Sequence, residues 1–275
     1  MELYQGIILG ILQGLTEFLP VSSSGHLVLG QMFFGMTQSQ LIFDISVHVG
    51  TLLAVLVVYA ADILAMLSSL SGFFSKAVHF KPVAHLVKED NHLQMAGLIV
   101  MASIPTAVIG LVLKQFEQIL FSSEVLVGFM LILTGTILWL SRNYYYNENK
   151  QQKFGIKKAL FIGVTQGLAV IPGISRSGST IAAGMVMGLD RHNAAKFSFL
   201  LSIPAIVGAE MLGLKDILTE GLIIDTVTLY ATIVSFITGL IALKILLRLV
   251  HSGRFHLFAP YCWLLGSLVL LSKII

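Results

Sequence analysis

Charged side chains are scarce in this chain. Asp, Glu, Lys and Arg make up 11% of its 275 residues, against about 25% in a soluble domain. That scarcity, beside 56% hydrophobic residues, excludes a water-soluble surface and makes lipid the solvent for most of the chain. A basic run is also missing, and the net charge of +3 is small. Nucleic acid is therefore excluded as a partner. The one cysteine, Cys262, cannot close an intramolecular disulfide and offers no zinc cage. In its apolar run it reads as a small buried hydrophobe. The first residues lack a basic stretch and a small-residue cleavage site, so no cleaved signal peptide is expected.

Long apolar runs are what the chain does have. A helix that crosses a membrane needs about 20 apolar residues. Six segments approach this: 43–68, 94–114, 120–141, 195–213, 224–248 and 257–274. Two further apolar regions are cut. Residues 5–35 break at Leu19-Pro20-Val21-Ser22-Ser23-Ser24-Gly25, and residues 158–189 break at Ile171-Pro172-Gly173-Ile174-Ser175-Arg176-Ser177-Gly178. The flanking pieces, about 10–15 residues each, are too short to cross alone. Pro and Gly end helices, and Ser competes for backbone hydrogen bonds. Both regions read as re-entrant helix pairs, whose irregular backbone must be buried in protein or line a wet cavity.

Charge placement predicts orientation. Alternating the spans puts 13 of the 17 Lys and Arg residues on one side, from Lys76, Lys81 and Lys88 through Arg142, Lys150 and Lys153 to Arg254. Lys114, Lys215 and Lys273 fall opposite, and Arg176 lies inside the second break. The basic side is expected to be cytoplasmic, with both termini facing outward.

The chain also repeats. Gln13-Gly14-Leu15 and Gln166-Gly167-Leu168 stand 153 residues apart, and at that offset Ser22, Ser24 and Gly25 match Ser175, Ser177 and Gly178. Each half holds one re-entrant pair and three spans. Three is odd, so the halves must have opposite topology. The expected fold is an all-α polytopic membrane protein, a single integral membrane domain over 1–275. It is built from two inverted-topology repeats, 1–141 and 155–275, each with one re-entrant helix pair and three transmembrane helices.

The breaks also hold the residues with chemistry. Gln13 and Glu17 are i and i+4, on one helix face. An acid at mid-membrane costs about 2.5–3.5 kcal/mol, so Glu17 is expected to be paired, metal-bound or functional. Arg176 sits between two serines at a helix start, where its guanidinium and the backbone N–H groups can hold phosphate oxygens together. His26 follows Gly25 and can act as general acid/base or nucleophile. Ser22, Ser23, Ser24, Ser175, Ser177, Ser179 and Thr180 supply hydroxyls, most of them for broken-helix backbone. Asp44 and His48, i and i+4 near a span start, are weaker candidates for lining the site. Asp62 and Glu210 are expected to snorkel from span ends. A carboxylate with Mg²⁺ or Ca²⁺ can neutralise phosphate charge, and the set suits phosphoryl transfer. The rival reading is a transporter or lipid flippase with the same repeat, which needs Arg176 but no nucleophile.

At these residues the sequence resembles the bacterial undecaprenyl-diphosphate phosphatase family of the bacitracin-resistance type. Gln13-Gly14-Leu15-Thr16-Glu17 and Pro20-Val21-Ser22-Ser23-Ser24-Gly25-His26 match its first signature, and Pro172-Gly173-Ile174-Ser175-Arg176-Ser177-Gly178-Ser179-Thr180 its second. Position 13 is Gln where the family allows Glu or Gln, leaving one carboxylate in this motif. The resemblance implies hydrolysis of undecaprenyl diphosphate at the outer, periplasmic side of the bacterial inner membrane, recycling the lipid carrier for peptidoglycan and underlying bacitracin resistance. It implies that Glu17 and Gln13 hold a divalent metal, Mg²⁺ or Ca²⁺, or position water. Ser23 and His26 become nucleophile and acid/base candidates. Arg176 grips the diphosphate with Ser175 and Thr180, and Ser22, Ser24 and Ser177 complete the substrate-binding set. The partners are a polyprenyl diphosphate and membrane lipid, and a homodimer is compatible with this reading.

Overall fold

The computed structural model describes residues 1–36, 40–77, 90–142, 154–220 and 225–273. Among them every regular element is a helix. The first break separates α1 (Leu3–Phe18) from α2 (Ser23–Phe33). Then come α3 (Leu41–Val58), α4 (Ala60–Ala77), α5 (Asn91–Lys114), the short α6 (Glu117–Ser122) and α7 (Glu124–Ser141). The second break separates α8 (Ile156–Leu168) from α9 (Arg176–Val186). The chain ends with α10 (Arg191–Glu220), α11 (Thr226–His251) and α12 (Ala259–Leu271). Lys81, Lys88, Lys150 and Lys153, part of the orientation argument, lie outside the described residues.

Five helices are long and apolar enough to cross a membrane: α3, α5, α7, α10 over Arg191–Gly213, and α11. Three expected spans are drawn differently. The segment 43–68 bends at Tyr59, whose backbone leaves helical geometry at φ −103°, ψ 18°. Its buried ring stacks on Phe199 at 6.2 Å, which anchors the break between α3 and α4 to α10. The segment 120–141 starts late, because the Ser123 side chain accepts from Leu126 N and caps α7 there. The last segment opens with a 3₁₀ turn, Phe255–Phe258, and α12 itself has 13 residues, Ala259–Leu271, with Pro260 in its first turn. Proline suits that position because its missing N–H would be unbonded anyway.

The two helices that carry Gln-Gly-Leu each pack along one long helix. Helix α1 lies along α11, and α8, its counterpart, lies along α5. The repeated Gln-Gly-Leu supplies the reason for the glycine. A Cβ on Gly14 would sit 1.9 Å from Thr238 Oγ1, and one on Gly167 would sit 2.8 Å from Ile109. Both glycines let two helix backbones approach closely. Helix α10 packs on both α3 and α5, and α7 on α12. The core gathers where α1, α9, α10 and α11 meet, around Phe18, Ile181, Phe197, Phe199, Leu201 and Leu243. The outward faces stay apolar, as in Val57, Val108, Phe129 and Ile241, which suits contact with lipid tails.

Candidate active site

The two breaks touch each other. After α1 ends, Ser22 takes φ +70°, the one positive φ outside glycine among the described residues. Such a conformation costs about 1–3 kcal/mol and persists only where surroundings hold it. Here the Ser22 hydroxyl does two jobs. Its Oγ accepts from Gly25 N at 3.3 Å, capping α2, and from Gly173 N at 3.0 Å in the second break. Gly173 itself has φ +96°, and a Cβ there would meet Val127 O at 2.6 Å. Thr134 of α7 fixes the second break from outside: its Oγ1 donates to Gly173 O at 2.9 Å and accepts from Ser175 N at 3.0 Å. Ser175 then caps α9, its Oγ accepting from Gly178 N at 3.0 Å, as Ser22 caps α2. The sequence repeat is thus a repeat of helix caps.

This stitching aims both new helices at Glu17. Glu17 is 8% exposed. Arg176 Nη2, at the start of α9, donates to Glu17 Oε1 at 2.7 Å. Ser23 Oγ, at the start of α2, donates to Oε2 at 2.6 Å, and Gln13 Nε2 donates to Oε2 at 3.1 Å. His48 Nε2 of α3 stands 3.9 Å from the same oxygen. Four elements therefore converge on one carboxylate. Two polar atoms of the cluster are buried with no protein partner, Arg176 Nη1 and Gln13 Oε1. One is a cationic donor and the other a neutral acceptor. Buried polar groups in native structures are nearly always satisfied, so these two mark where a ligand or water belongs.

The sequence places Glu17, His26 and Arg176 in one cavity. Glu17 and Arg176 touch, whereas His26 faces another way. Its Nδ1 lies 2.8 Å from Ser22 O and its Nε2 2.7 Å from the hydroxyl of Tyr261 on α12. Several hydroxyls expected to meet substrate are bonded within the protein. Ser177 Oγ donates to Phe18 O at 2.9 Å, sealing the end of α1. Thr180 Oγ1 donates to Arg176 O at 2.7 Å and lies 2.5 Å from Ser198 Oγ. Ser22 Oγ and Ser24 Oγ are 3.4 Å apart, with Ser24 half-buried. Asp62 is half-buried, and its Oδ1 accepts from Lys196 Nζ, tying α4 to α10. Glu210 is half-buried, within electrostatic reach of His48, Glu17 and Asp44. Asp44 is held by Gln31 Nε2 at 2.6 Å.

Sequence reasoning missed Tyr261, Thr134 and Ser198. Thr134 and Ser198 lie in apolar helices far from either motif, and neither carries a local signal. Tyr261 had a weak one: a hydroxyl-bearing aromatic directly after Pro260 in an otherwise apolar segment.

A family model described as bacitracin resistance protein BacA matches residues 6–268. Curated relatives align over nearly their whole length. An undecaprenyl-diphosphatase of Desulforapulum autotrophicum is 56% identical over 272 residues, covering 99% of both chains. One of Desulfosudis oleivorans is 51% identical over 270 residues, covering 98% of both. One of Desulfatibacillum aliphaticivorans is 46% identical over 277 residues, covering 100% of both.

Proposed function

As the chain belongs to the bacitracin resistance protein BacA family, we propose that it hydrolyses undecaprenyl diphosphate to the monophosphate and inorganic phosphate. One observation carries this beyond the family name. Ser23 donates its proton to Glu17 Oε2, while Glu17 Oε1 is bound by one arm of Arg176 whose other arm, Nη1, is buried and free. A hydroxyl, its proton acceptor and an open guanidinium donor thus stand together at a helix start. That is the equipment for attack on a phosphate.

The steps follow from the atoms. Arg176 Nη1 and the N–H groups at the start of α9 take the oxygens of the terminal phosphate. Ser23 Oγ attacks the terminal phosphorus as its proton passes to Glu17, and the bond to the bridging oxygen breaks, releasing the lipid monophosphate. Water then attacks the phosphoserine, giving inorganic phosphate and restoring the Ser23 hydroxyl. Arg176 Nη2 holds Glu17 through Oε1, leaving Oε2 turned to the Ser23 hydroxyl. The geometry favours Ser23 over His26 as nucleophile, because the basic nitrogen of His26 is already engaged by Tyr261.

The residues fit a divalent cation that arrives with its substrate. Among the described residues no group of three or more His, Cys, Asp or Glu side chains forms a cage. Glu17 and the unpartnered Gln13 Oε1 offer two hard oxygen donors side by side. Mg²⁺ or Ca²⁺ takes such a site when phosphate and water supply the remaining ligands. Bound there, it would neutralise charge on the diphosphate.

The fold supports a finer architecture. The matched pairings of α1 with α11 and α8 with α5, and the paired caps at Ser22 and Ser175, support two inverted repeats whose short helices re-enter the membrane. With the basic side inside, the α1–α2 pair enters from the outer face. The site then opens to the periplasmic side of the inner membrane, where the carrier lipid is recycled for peptidoglycan synthesis.

A substrate panel tests the activity. Purified protein with Mg²⁺ is given a C15 isoprenyl diphosphate, the matching monophosphate and inorganic diphosphate. Phosphate is expected from the isoprenyl diphosphate and not from the monophosphate. Absence of release from the lipid diphosphate, with either Mg²⁺ or Ca²⁺, would end this reading.

A further inference from the structure

Three of the first five residues of α9 carry hydroxyls: Ser177, Ser179 and Thr180. Two are committed inside the protein, Ser177 Oγ to Phe18 O and Thr180 Oγ1 to Arg176 O. The hydroxyl of Ser175, which caps the helix, accepts from Gly178 N. Ser179 is different. It is 4% exposed, and its Oγ is the one buried hydroxyl among the described residues with no hydrogen-bond partner. A helical serine commonly donates to a carbonyl one turn back. This chain does so at Ser46 with Ile42 O at 2.7 Å, at Ser103 with Ile99 O at 2.8 Å and at Ser202 with Phe199 O at 2.7 Å. The matching carbonyl for Ser179 is that of Ser175, which accepts the Ser179 backbone N–H at 2.9 Å but not the hydroxyl.

Residues three apart are neighbours on a helix surface, and Cβ atoms lean toward the helix N-terminus. Ser179 therefore stands over the turn that Arg176 begins. Arg176 Nη2 holds Glu17 at 2.7 Å, while Nη1 is buried and partnerless. Two donors are thus left unpaired on one face of α9, one neutral and one cationic, and they are not bonded to each other. The flanking positions are occupied. A Cβ on Gly178 would sit 3.2 Å from the Pro20 side chain, and Thr180 meets Ser198 of α10 at 2.5 Å. Buried polar atoms in native structures are nearly always satisfied. Two orphan donors side by side match an acceptor that carries more than one oxygen.

We propose that Ser179 is a second phosphate-binding side chain, donating its hydroxyl to the same phosphate that Arg176 Nη1 holds. The assignment rests on the phosphatase reading given above. The ionised oxygens of a phosphate accept, and the serine O–H and the guanidinium N–H both donate, so one phosphate satisfies both orphan atoms. Two donors on successive turns grip two oxygens rather than one. That fixes the phosphate relative to Ser23, which shares Glu17 with Arg176. Leaving a buried hydroxyl unpaired costs stability in the empty protein, and the bound phosphate recovers that cost.

Ser179→Ala tests this, since it removes only the hydroxyl and leaves a good helix former. The probe is a C15 isoprenyl methylenebisphosphonate, which presents both phosphoryl groups and cannot be cleaved between them. By calorimetry the variant should bind it about tenfold or more weakly than wild type, the worth of a hydrogen bond to a charged group. Without the probe, the thermal midpoint should stay level or rise, because a buried unpaired hydroxyl has been removed. Affinity within about twofold of wild type would give the hydroxyl to a resident water and overturn the proposal. A lowered midpoint would reveal a protein partner for the hydroxyl and overturn it too, as would a wild type that does not bind the probe. A wild type that binds the probe yet releases no phosphate from C15 isoprenyl diphosphate fails the phosphatase reading, while calorimetry still decides the Ser179 contact.

Discussion

Arg176→Lys separates the two tasks of the guanidinium. In the wild type Nη2 binds Glu17 Oε1 at 2.7 Å and Nη1 is buried with no protein partner. The two nitrogens point in directions fixed by one planar fork. A lysine ammonium is a single point charge on a flexible stem. It can still neutralise Glu17, so the fold should survive. It cannot also present a second, rigid donor to a phosphate. A hydrogen bond to a charged group is worth about 1.5–3 kcal/mol, so kcat/KM should fall by about 10- to 150-fold, at about 1.4 kcal/mol per factor of ten. Arg176→Ala is a coarser change, because it strands the carboxylate of Glu17 in a buried site, a loss of about 3–5 kcal/mol. Phosphate release under kcat/KM conditions and thermal unfolding in the same detergent distinguish the two losses. Arg176→Lys should keep most of the unfolding midpoint and lose most of the turnover. A lysine variant within twofold of wild-type kcat/KM would refute the division of labour between Nη1 and Nη2.

Glu17→Gln should abolish turnover and metal stimulation together, as it removes both the proton acceptor for Ser23 and the charged oxygen donor; a variant still stimulated by Mg²⁺ argues against the ligand role. Calorimetry should find no tight Mg²⁺ or Ca²⁺ binding to the protein alone and clear binding once a non-hydrolysable diphosphate is added, while tight binding without it would contradict a site of only two protein oxygens. Gly14→Ala forces a Cβ to within 1.9 Å of Thr238 Oγ1 and should cost about 1–3 kcal/mol of stability; an unshifted thermal midpoint would show that α1 and α11 can move apart freely. Cysteines placed at positions 81 and 150 should react only with reagent on the cytoplasmic side, and labelling from outside would invert the proposed topology.

The breaks were legible because their residues are costly anywhere else. Arg176 and Glu17 have little reason to lie in apolar helices unless they meet, and they do. The 153-residue offset also carried physical content, since the matched serines are matched helix caps and the matched glycines are matched helix contacts. What stayed hidden was any contact made by a residue ordinary in its own segment. Nothing local marks Thr134 as the clamp of the second break. Tyr59 looks like one more apolar residue until its ring is seen against Phe199. His26 stands out in its motif, but the partner of its ring is Tyr261, which a one-dimensional reading cannot place beside it. The partners of the acids at span ends stayed hidden for the same reason. Asp62 and Glu210 look alone in the sequence, whereas Asp62 is paired with Lys196 and Glu210 lies within electrostatic reach of His48.

The central claim is that chemistry, and not passage of lipid, happens where Glu17, Ser23 and Arg176 meet. Detergent micelles have no two leaflets, so a flippase has nothing to do in them. The deciding measurement is phosphate release in micelles from undecaprenyl diphosphate by wild type and by folded Ser23→Ala. The account predicts one phosphate per lipid for the wild type and none above background for the variant. Equal release by both proteins, or none from the wild type, would contradict it.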